Sequence, residues 1–310
     1  MTLLNVGRLP PPLLARLAAH YRLTTLNEQP DRAAFLAAHG ADFVGLVTSA
    51  AVGADAALIS ALPALRVISS FGVGLDRIDV AAAQARGIPV GYTPDVLNDC
   101  VADTAFGLLI DVARGFSTAD RFVRRGDWLK GAFPLGRKVS GARLGLVGMG
   151  RIGRAIAQRS TGFAMDVRYH ARRPVADVPW PHEPQLLELA RWAHFLVVIT
   201  AGGAGTRHLI NAAVLDALGP EGYLVNVARG SVVDEAALVL ALQQRRIAGA
   251  GLDVFEDEPQ VPAALRALDN VVLLPHIASA THQTRQAMAD RVFDNLHSFF
   301  ATGHLVSAAP

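Results

Sequence analysis

Cysteine and long apolar runs are scarce in this sequence. Cys100 is the single cysteine among 310 residues, which excludes a disulfide framework and a multi-cysteine metal site. No metal site is predicted, and we expect a cytoplasmic protein, because nothing here needs an oxidising compartment. The N-terminus lacks the pattern of a signal peptide, and no apolar run reaches the ~20 residues of a membrane-spanning helix. We therefore expect no membrane association.

Charge of one sign is also lacking. The chain has 29 basic and 27 acidic residues, for a net charge of +2, and Lys130 and Lys138 are its only lysines. A balanced charge argues against a nucleic-acid partner, which would favour a basic surface. Hydrophobic residues make up 51% and charged residues 18%, a composition that excludes extensive disorder. The length favours about two domains.

Short runs rich in Val, Ile and Leu alternate with amphipathic stretches along the chain. Runs with little internal alternation are typical of parallel strands that are buried on both faces. The predicted fold class is therefore α/β with doubly wound sheets. We predict strands at Val44–Val47, Arg66–Ser69, Pro89–Tyr92, Arg143–Val147, Asp166–His170, Phe195–Thr200, Tyr223–Val227, Ala248–Val254 and Val271–Leu274.

Two domains account for this pattern better than one. A glycine-rich nucleotide signal begins at residue 148, too late to open an N-terminal dinucleotide-binding domain. No strand follows the helical pattern at Thr281–Phe299, so we expect this helix to return to the first domain. The prediction is a flavodoxin-like substrate domain (1–98 plus 284–310) into which a Rossmann domain (99–283) is inserted.

The sequence Gly148-Met-Gly-Arg-Ile-Gly153 matches the G-x-G-x-x-G pattern, between an apolar strand and a helical stretch. Gly148 permits a tight turn, Gly150 lets the backbone approach a pyrophosphate, and Gly153 lets the helix pack closely on the strand. The N-terminus of the helix offers free N–H groups to phosphates. The motif predicts a bound dinucleotide.

The end of the second predicted strand indicates which dinucleotide is preferred. NAD-binding domains carry an acid there, roughly 20 residues after the glycines, but this chain has His170, followed by Ala171, Arg172 and Arg173. Arginine suits the 2′-phosphate of NADP(H) through charge-assisted hydrogen bonds. We therefore predict that NADP(H) is preferred and that NAD(H) remains possible.

Three chemically active residues follow three later strands. Arg229, Glu258 and His276 come after predicted strands, where doubly wound folds place their ligand sites. A cation can hold a substrate carboxylate and polarise a carbonyl, and a histidine can donate a proton to the new alkoxide. A carboxylate orients that histidine and favours its protonated form. The set predicts hydride transfer to a 2-keto acid.

Four segments carry a resemblance to a known family. Gly148–Gly153, Asn226–Ser231, Gly251–Pro259 and Pro275–Ser279 occur in the order seen in the D-isomer-specific 2-hydroxyacid dehydrogenases, which the chain resembles over nearly its full length. Gly91–Leu97 and Tyr169–Pro174 look most like the NADPH-dependent glyoxylate/hydroxypyruvate reductases within that family.

The resemblance implies roles for individual residues. Arg229 binds and polarises the substrate, His276 donates the proton, and Glu258 is its partner. The backbone N–H groups of Val73 and Gly74 bind the substrate carboxylate, because successive N–H groups can form an anion-binding concavity called a nest. Further cofactor contacts are expected at Arg151, Ile152, Ala171, Thr200, Ala201, Val227, Ala228, Asp253 and Ser279. A homodimer is also expected.

One departure from the family and two alternative functions stay open. The family usually has an apolar-Pro-Leu-Thr sequence after Thr200, whereas this chain has Ala201-Gly-Gly-Ala-Gly205, which predicts a more mobile loop. The protein could be a dehydrogenase for another D-2-hydroxy acid. It could also be a non-enzymatic dinucleotide sensor like the corepressors that share this fold, although the presence of Arg229, Glu258 and His276 together favours an enzyme.

Overall fold

The structure is a computed structural model that describes residues 1–310. Its strands are β1 (Thr2–Asn5), β2 (Arg22–Thr25), β3 (Gly45–Ser49), β4 (Val67–Phe71), β5 (Val90–Gly91), β6 (Arg143–Val147), β7 (Asp166–His170), β8 (Phe195–Val198), β9 (Tyr223–Asn226), β10 (Gly249–Leu252) and β11 (Val271–Leu273).

Its α-helices are α1 (Pro11–His20), α2 (Arg32–His39), α3 (Ala56–Ser60), α4 (Val80–Ala85), α5 (Asn98–Arg114), α6 (Phe116–Arg124), α7 (Arg151–Ser160), α8 (Leu186–Trp192), α9 (Ala212–Leu218), α10 (Glu235–Gln243), α11 (Ala263–Arg266) and α12 (His282–Thr302). None of them combines the length and the apolar character that a membrane span requires.

The first compact unit comprises Met1–Leu97 and Thr281–Pro310. Its five parallel strands lie in the order β2-β1-β3-β4-β5, which is the flavodoxin-like order. The last helix, α12, packs on β4, where the Ser69 hydroxyl donates to the Val292 carbonyl at 3.2 Å. The Asn295 amide donates to the Tyr92 carbonyl at 3.2 Å, so the C-terminal helix is bonded to the sheet of this unit.

The second compact unit comprises Asn98–Ala280. Its six parallel strands lie in the order β11-β10-β9-β8-β6-β7. The chain leaves β6 for β7 on one side and then builds β8 to β11 on the other, so the strand order reverses between β6 and β8. Ligands of open α/β sheets bind beyond the carboxyl ends of the strands at such a point.

The prediction of two doubly wound α/β sheets is confirmed, although the sequence pattern does not predict β1 and β2. The interior strand β1 buries Leu3 and Leu4 completely, but these are its only apolar residues, so no longer apolar run marks it. The edge strand β2 reads Arg-Leu-Thr-Thr and is partly exposed, which is why no apolar run marks it. The functional division into substrate and cofactor domains stays a prediction.

Candidate active site

The glycine motif forms the turn between β6 and α7. Gly148 has a φ of +114°, a conformation that L side chains rarely adopt, and a Cβ there would lie 2.8 Å from the Ile199 carbonyl oxygen. A Cβ on Gly153 would lie 2.4 Å from the Gly148 carbonyl oxygen. Both glycines are therefore required by the packing of α7 against the ends of β6 and β8.

Gly150 lies at the N-terminus of α7 and differs from the other two glycines. No protein atom comes within 4 Å of the position that its Cβ would occupy, and no side chain caps this end of the helix. The first turn of α7, at Arg151, Ile152 and Gly153, therefore places the positive end of the helix beside open space. These residues fit the pyrophosphate of a dinucleotide.

Two segments that the sequence assigns to the cofactor follow neighbouring strands. Thr200 and Ala201 come after β8, and Val227 and Ala228 come after β9. The Thr206 hydroxyl donates to the Ala201 carbonyl at 2.7 Å, which closes the glycine-rich turn that replaces the usual proline sequence. Ser279, partly buried, ends the segment after β11. The cofactor contacts of these residues stay predictions.

Arginine side chains stand where NAD-binding domains have an acid. Strand β7 ends at His170, whose Nδ1 lies 3.0 Å from the Glu183 carbonyl oxygen. Arg172 and Arg173 follow Ala171, and both are exposed. Neither guanidinium makes an ion pair or a hydrogen bond, so both charges are available to a ligand.

Arg229, Glu258 and His276 come from the loops after three adjacent strands. The strands β9, β10 and β11 are neighbours in the parallel sheet, so their carboxyl ends meet at one edge. Gly230 brings the first two loops together, since a Cβ there would lie 1.9 Å from the Phe255 carbonyl carbon. The Arg229 guanidinium donates to the Ala228 carbonyl at 2.8 Å.

His276 and Glu258 form a hydrogen-bonded pair. The imidazole Nδ1 lies 2.8 Å from Glu258 Oε2, and the other oxygen, Oε1, accepts from the Phe255 N–H at 3.1 Å. An ionised carboxylate can only accept, so Nδ1 carries the hydrogen of this bond. Nε2 makes no hydrogen bond within the protein, and the side chain is partly exposed.

The pKa of Glu258 reflects two opposing influences. Burial acts to raise it, but the hydrogen bond and the charge of His276, the Phe255 N–H and the charge of Arg229 outweigh burial and leave the pKa below its usual value. Glu258 is therefore ionised at neutral pH and faces His276 as a negative charge.

Asp253 holds the turn that carries His276, a role that the sequence did not indicate. Its backbone carbonyl accepts from the His276 N–H at 2.9 Å. Its carboxylate accepts from the Ile277 N–H at 2.7 Å and from the Ala278 N–H at 2.9 Å. Asp253 is 1% exposed, and this burial raises its pKa although the two N–H groups act in the other direction. Its expected contact with the cofactor stays a prediction.

No set of three or more His, Cys, Asp or Glu side chains is placed to hold a metal ion. Independently of this, Arg229 can bind an anion, and the His276–Glu258 pair can transfer a proton.

Residues 106–278 match the model of the D-isomer-specific 2-hydroxyacid dehydrogenases, NAD-binding domain. The chain belongs to this family. The prediction from its four motifs is thus confirmed, and the protein is an NAD(P)-dependent oxidoreductase of the 2-hydroxyacid dehydrogenase type.

Relatives with named activities match nearly the whole chain. Glyoxylate/hydroxypyruvate reductase A HPR2 of Arabidopsis thaliana is 44% identical over 291 residues, which are 94% of this chain and 93% of that protein. Hydroxyphenylpyruvate reductase of Plectranthus scutellarioides is 45% identical over 285 residues, 92% of this chain and 91% of that protein.

A crystal structure shows the same fold in a related enzyme. The NADPH-dependent glyoxylate/hydroxypyruvate reductase of Sinorhizobium meliloti, solved with NADP and malonate, superimposes with a TM-score of 0.93 at 46% identity. The match covers 99% of this chain and 96% of that one.

The pairing of His276 with Glu258 predicts a specific pH effect. In Glu258→Gln the amide oxygen can still accept from Nδ1, but the negative charge that favours the protonated imidazole is lost. The pH above which keto-acid reduction declines should therefore move to lower pH, as measured by kcat/KM from pH 5 to 10.

Glu256→Gln is the matched control. Glu256 bonds Arg207 and His208 rather than His276, so its substitution should leave the profile in place. A Glu258→Gln profile identical to the wild-type profile would show that the pairing has no part in catalysis.

Proposed function

We propose that this protein is an NADPH-dependent reductase of small 2-keto acids of the glyoxylate/hydroxypyruvate type. The observation that carries the proposal is the His276–Glu258 hydrogen bond of 2.8 Å at the sheet edge where the Arg229 loop also ends. The relatives with glyoxylate/hydroxypyruvate reductase activity support the substrate class.

Each residue of the set has one task in this reaction. The Arg229 guanidinium binds the substrate carboxylate and polarises the keto oxygen, because its planar fork can donate two hydrogen bonds. His276 transfers the Nε2 proton to that oxygen as it becomes an alkoxide. Glu258 holds the imidazole through Nδ1 and stabilises its protonated form. The hydride for this reduction would come from a nicotinamide cofactor when one is bound.

We assign the backbone N–H groups of Val73 and Gly74 to the substrate carboxylate. Both residues lie in the glycine-rich loop after β4 and are partly exposed. Neither N–H group has a hydrogen-bond acceptor within the protein, so both can donate to an anion. A Val73→Pro variant that keeps the wild-type KM for glyoxylate would remove Val73 from this role.

Turnover with NADPH tests the proposed activity. We expect oxidation of NADPH, followed by absorbance, in the presence of glyoxylate and hydroxypyruvate. His276→Ala should lower kcat by ~10²–10⁴-fold, because general acid catalysis contributes that much. His304→Ala, an exposed histidine near the C-terminus, should behave as the wild type.

The same panel distinguishes the alternative. Hydroxyphenylpyruvate should be included, because the 45% identical relative from Plectranthus scutellarioides is a hydroxyphenylpyruvate reductase. A larger kcat/KM for hydroxyphenylpyruvate than for either small acid would assign the protein to another 2-hydroxy acid. No turnover with any keto acid would favour a dinucleotide-sensing protein.

The cofactor preference depends on Arg172 and, beside it, Arg173. A charge-assisted hydrogen bond contributes ~1.5–3 kcal/mol, with exposure favouring the lower end. At about 1.4 kcal/mol per decade, Arg172→Ala should therefore raise the KM for NADPH roughly tenfold to a hundredfold. The KM for NADH should hardly change, because NADH carries no 2′-phosphate.

Specificity constants for both cofactors check this expectation. Arg266→Ala, an exposed and unpaired arginine on α11, is the control and should alter neither constant. A wild type that uses NADH and NADPH equally well would disprove the preference. An equal loss for both cofactors in Arg172→Ala would assign the arginine a merely structural role.

We also propose a homodimer, formed through residues 116–135 of the second unit. Large apolar side chains on this segment are exposed: Trp128 is 69% and Leu129 is 94% exposed, and Phe116, Val123 and Leu135 are exposed as well. Apolar and aromatic side chains gathered in this way are typical of interfaces. The resemblance implies pairing through the arm near residues 99–140, which contains this segment.

Sedimentation at micromolar concentration measures the assembly. We expect twice the 32.8 kDa chain mass for the wild type and a shift toward the monomer in Leu129→Glu. Leu187→Glu, an exposed leucine on α8, should leave the dimer intact. A monomeric wild type would contradict the proposal.

The cytoplasm is the proposed location, supported by the single cysteine. Recovery of the native protein from an oxidising compartment on cell fractionation would contradict it.

A further inference from the structure

Residues 171–176, here called the arginine loop, follow β7 and carry Arg172 and Arg173. Three hydrogen bonds fix the loop at its two ends. His182 Nε2 lies 2.9 Å from the Ala171 carbonyl oxygen at the start. The Val175 N–H donates to the Tyr169 hydroxyl at 2.8 Å, and Arg154 on α7 donates to the Ala176 carbonyl at 3.1 Å near the end.

The anchors themselves are firmly held. Tyr169 lies in β7, is 1% exposed, and packs its ring 5.2 Å from the His182 ring. Residues 181–183 run beside β7, since the Tyr169 N–H donates to the Pro181 carbonyl at 3.0 Å and the Glu183 N–H donates to the Tyr169 carbonyl at 2.7 Å. The loop is therefore attached to the sheet through side chains that have little freedom.

Between these anchors the two guanidinium groups have no partner within the protein. Arg172 and Arg173 are adjacent in sequence, exposed and without an ion pair. Like charges that are close together repel each other, and exposed arginines lose side-chain entropy when a ligand orders them. A loop whose backbone is already fixed lowers the ordering cost that a phosphate must overcome.

We propose that Tyr169 and His182 are positioning residues for NADP(H): they hold the arginine loop in the conformation that presents Arg172 and Arg173 to the 2′-phosphate. This inference rests on the proposed NADPH preference. Neither side chain need touch the cofactor. The Tyr169 hydroxyl acts through the Val175 N–H, and the His182 imidazole acts through the Ala171 carbonyl.

Tyr169→Phe removes the hydroxyl and keeps the buried ring. A net hydrogen bond contributes ~0.5–1.5 kcal/mol, which at about 1.4 kcal/mol per decade corresponds to roughly a twofold to tenfold effect. The Kd for NADPH, measured by fluorescence titration without substrate, should rise by that factor. The Kd for NADH should not change, since NADH carries no 2′-phosphate for the loop to bind.

Hydrogen exchange of the ligand-free protein gives a readout that is independent of activity. The Val175 amide loses its acceptor in Tyr169→Phe, so the peptide that spans residues 171–176 should exchange faster, whereas α7 should exchange as in the wild type. Tyr223→Phe is the matched control. It removes a tyrosine hydroxyl from β9 of the same sheet and should change neither exchange in the loop nor either Kd.

Coupling to the arginines separates positioning from general destabilisation. In an Arg172→Ala and Arg173→Ala background, Tyr169→Phe should no longer alter the Kd for NADPH, because the loop then presents no charge. His182→Phe keeps an aromatic ring beside Tyr169 but loses the donor to Ala171, and it should reproduce the loss for NADPH.

The outcomes distinguish this inference from the proposal on which it rests. A wild type that binds NADH as tightly as NADPH contradicts the cofactor preference itself. A wild type that prefers NADPH, with Tyr169→Phe and His182→Phe both retaining that preference, overturns only the positioning role. An equal loss for NADPH and NADH in these variants also overturns it, because such a loss reports a disturbed dinucleotide fold.

Discussion

The geometry of the candidate site depends on one buried carboxylate. Asp253 binds three consecutive N–H groups, through its own carbonyl to His276 and through its carboxylate to Ile277 and Ala278. His276 has a φ of +52°, which is uncommon for a residue with a side chain and is costly without support. Asp253 supplies that support, so the imidazole is held where Nδ1 meets Glu258.

The order of the strands brings the Arg229 loop and the His276 loop together. Asp253 immediately follows β10, and its neighbours β9 and β11 deliver the loops of Arg229 and His276. Gly230 allows the Arg229 loop to contact the backbone at Phe255 directly. Any side chain at this position would prevent so close a contact. Backbone contacts therefore set the positions of His276, Glu258 and Arg229.

The sequence was sufficient for the features that depend on local pattern. The glycines, the buried strands and the order of Arg229, Glu258 and His276 each have a local signal, because turns and parallel strands constrain residue type over a few positions. The end of a helix has a weaker signal: α7 is α-helical from Arg151 to Ser160, and the chain then continues as a tighter turn at Thr161–Phe163. The role of Asp253 in the His276 turn could not be predicted, because its bonds span 24 and 25 residues and depend on the pairing of β10 with β11.

The arginine loop also shows what local sequence pattern can and cannot predict. Arg172 and Arg173 could be assigned to a phosphate from their position after β7, since charge and place in the fold decide that assignment. Whether two exposed cations form a binding site, however, depends on the conformation of the loop backbone that carries them. That backbone is fixed by Tyr169 and His182, which look like ordinary strand and loop residues in the sequence. Affinity for the 2′-phosphate thus requires the two arginine charges. Discrimination between NADPH and NADH requires that the loop holds these charges in place before the cofactor binds.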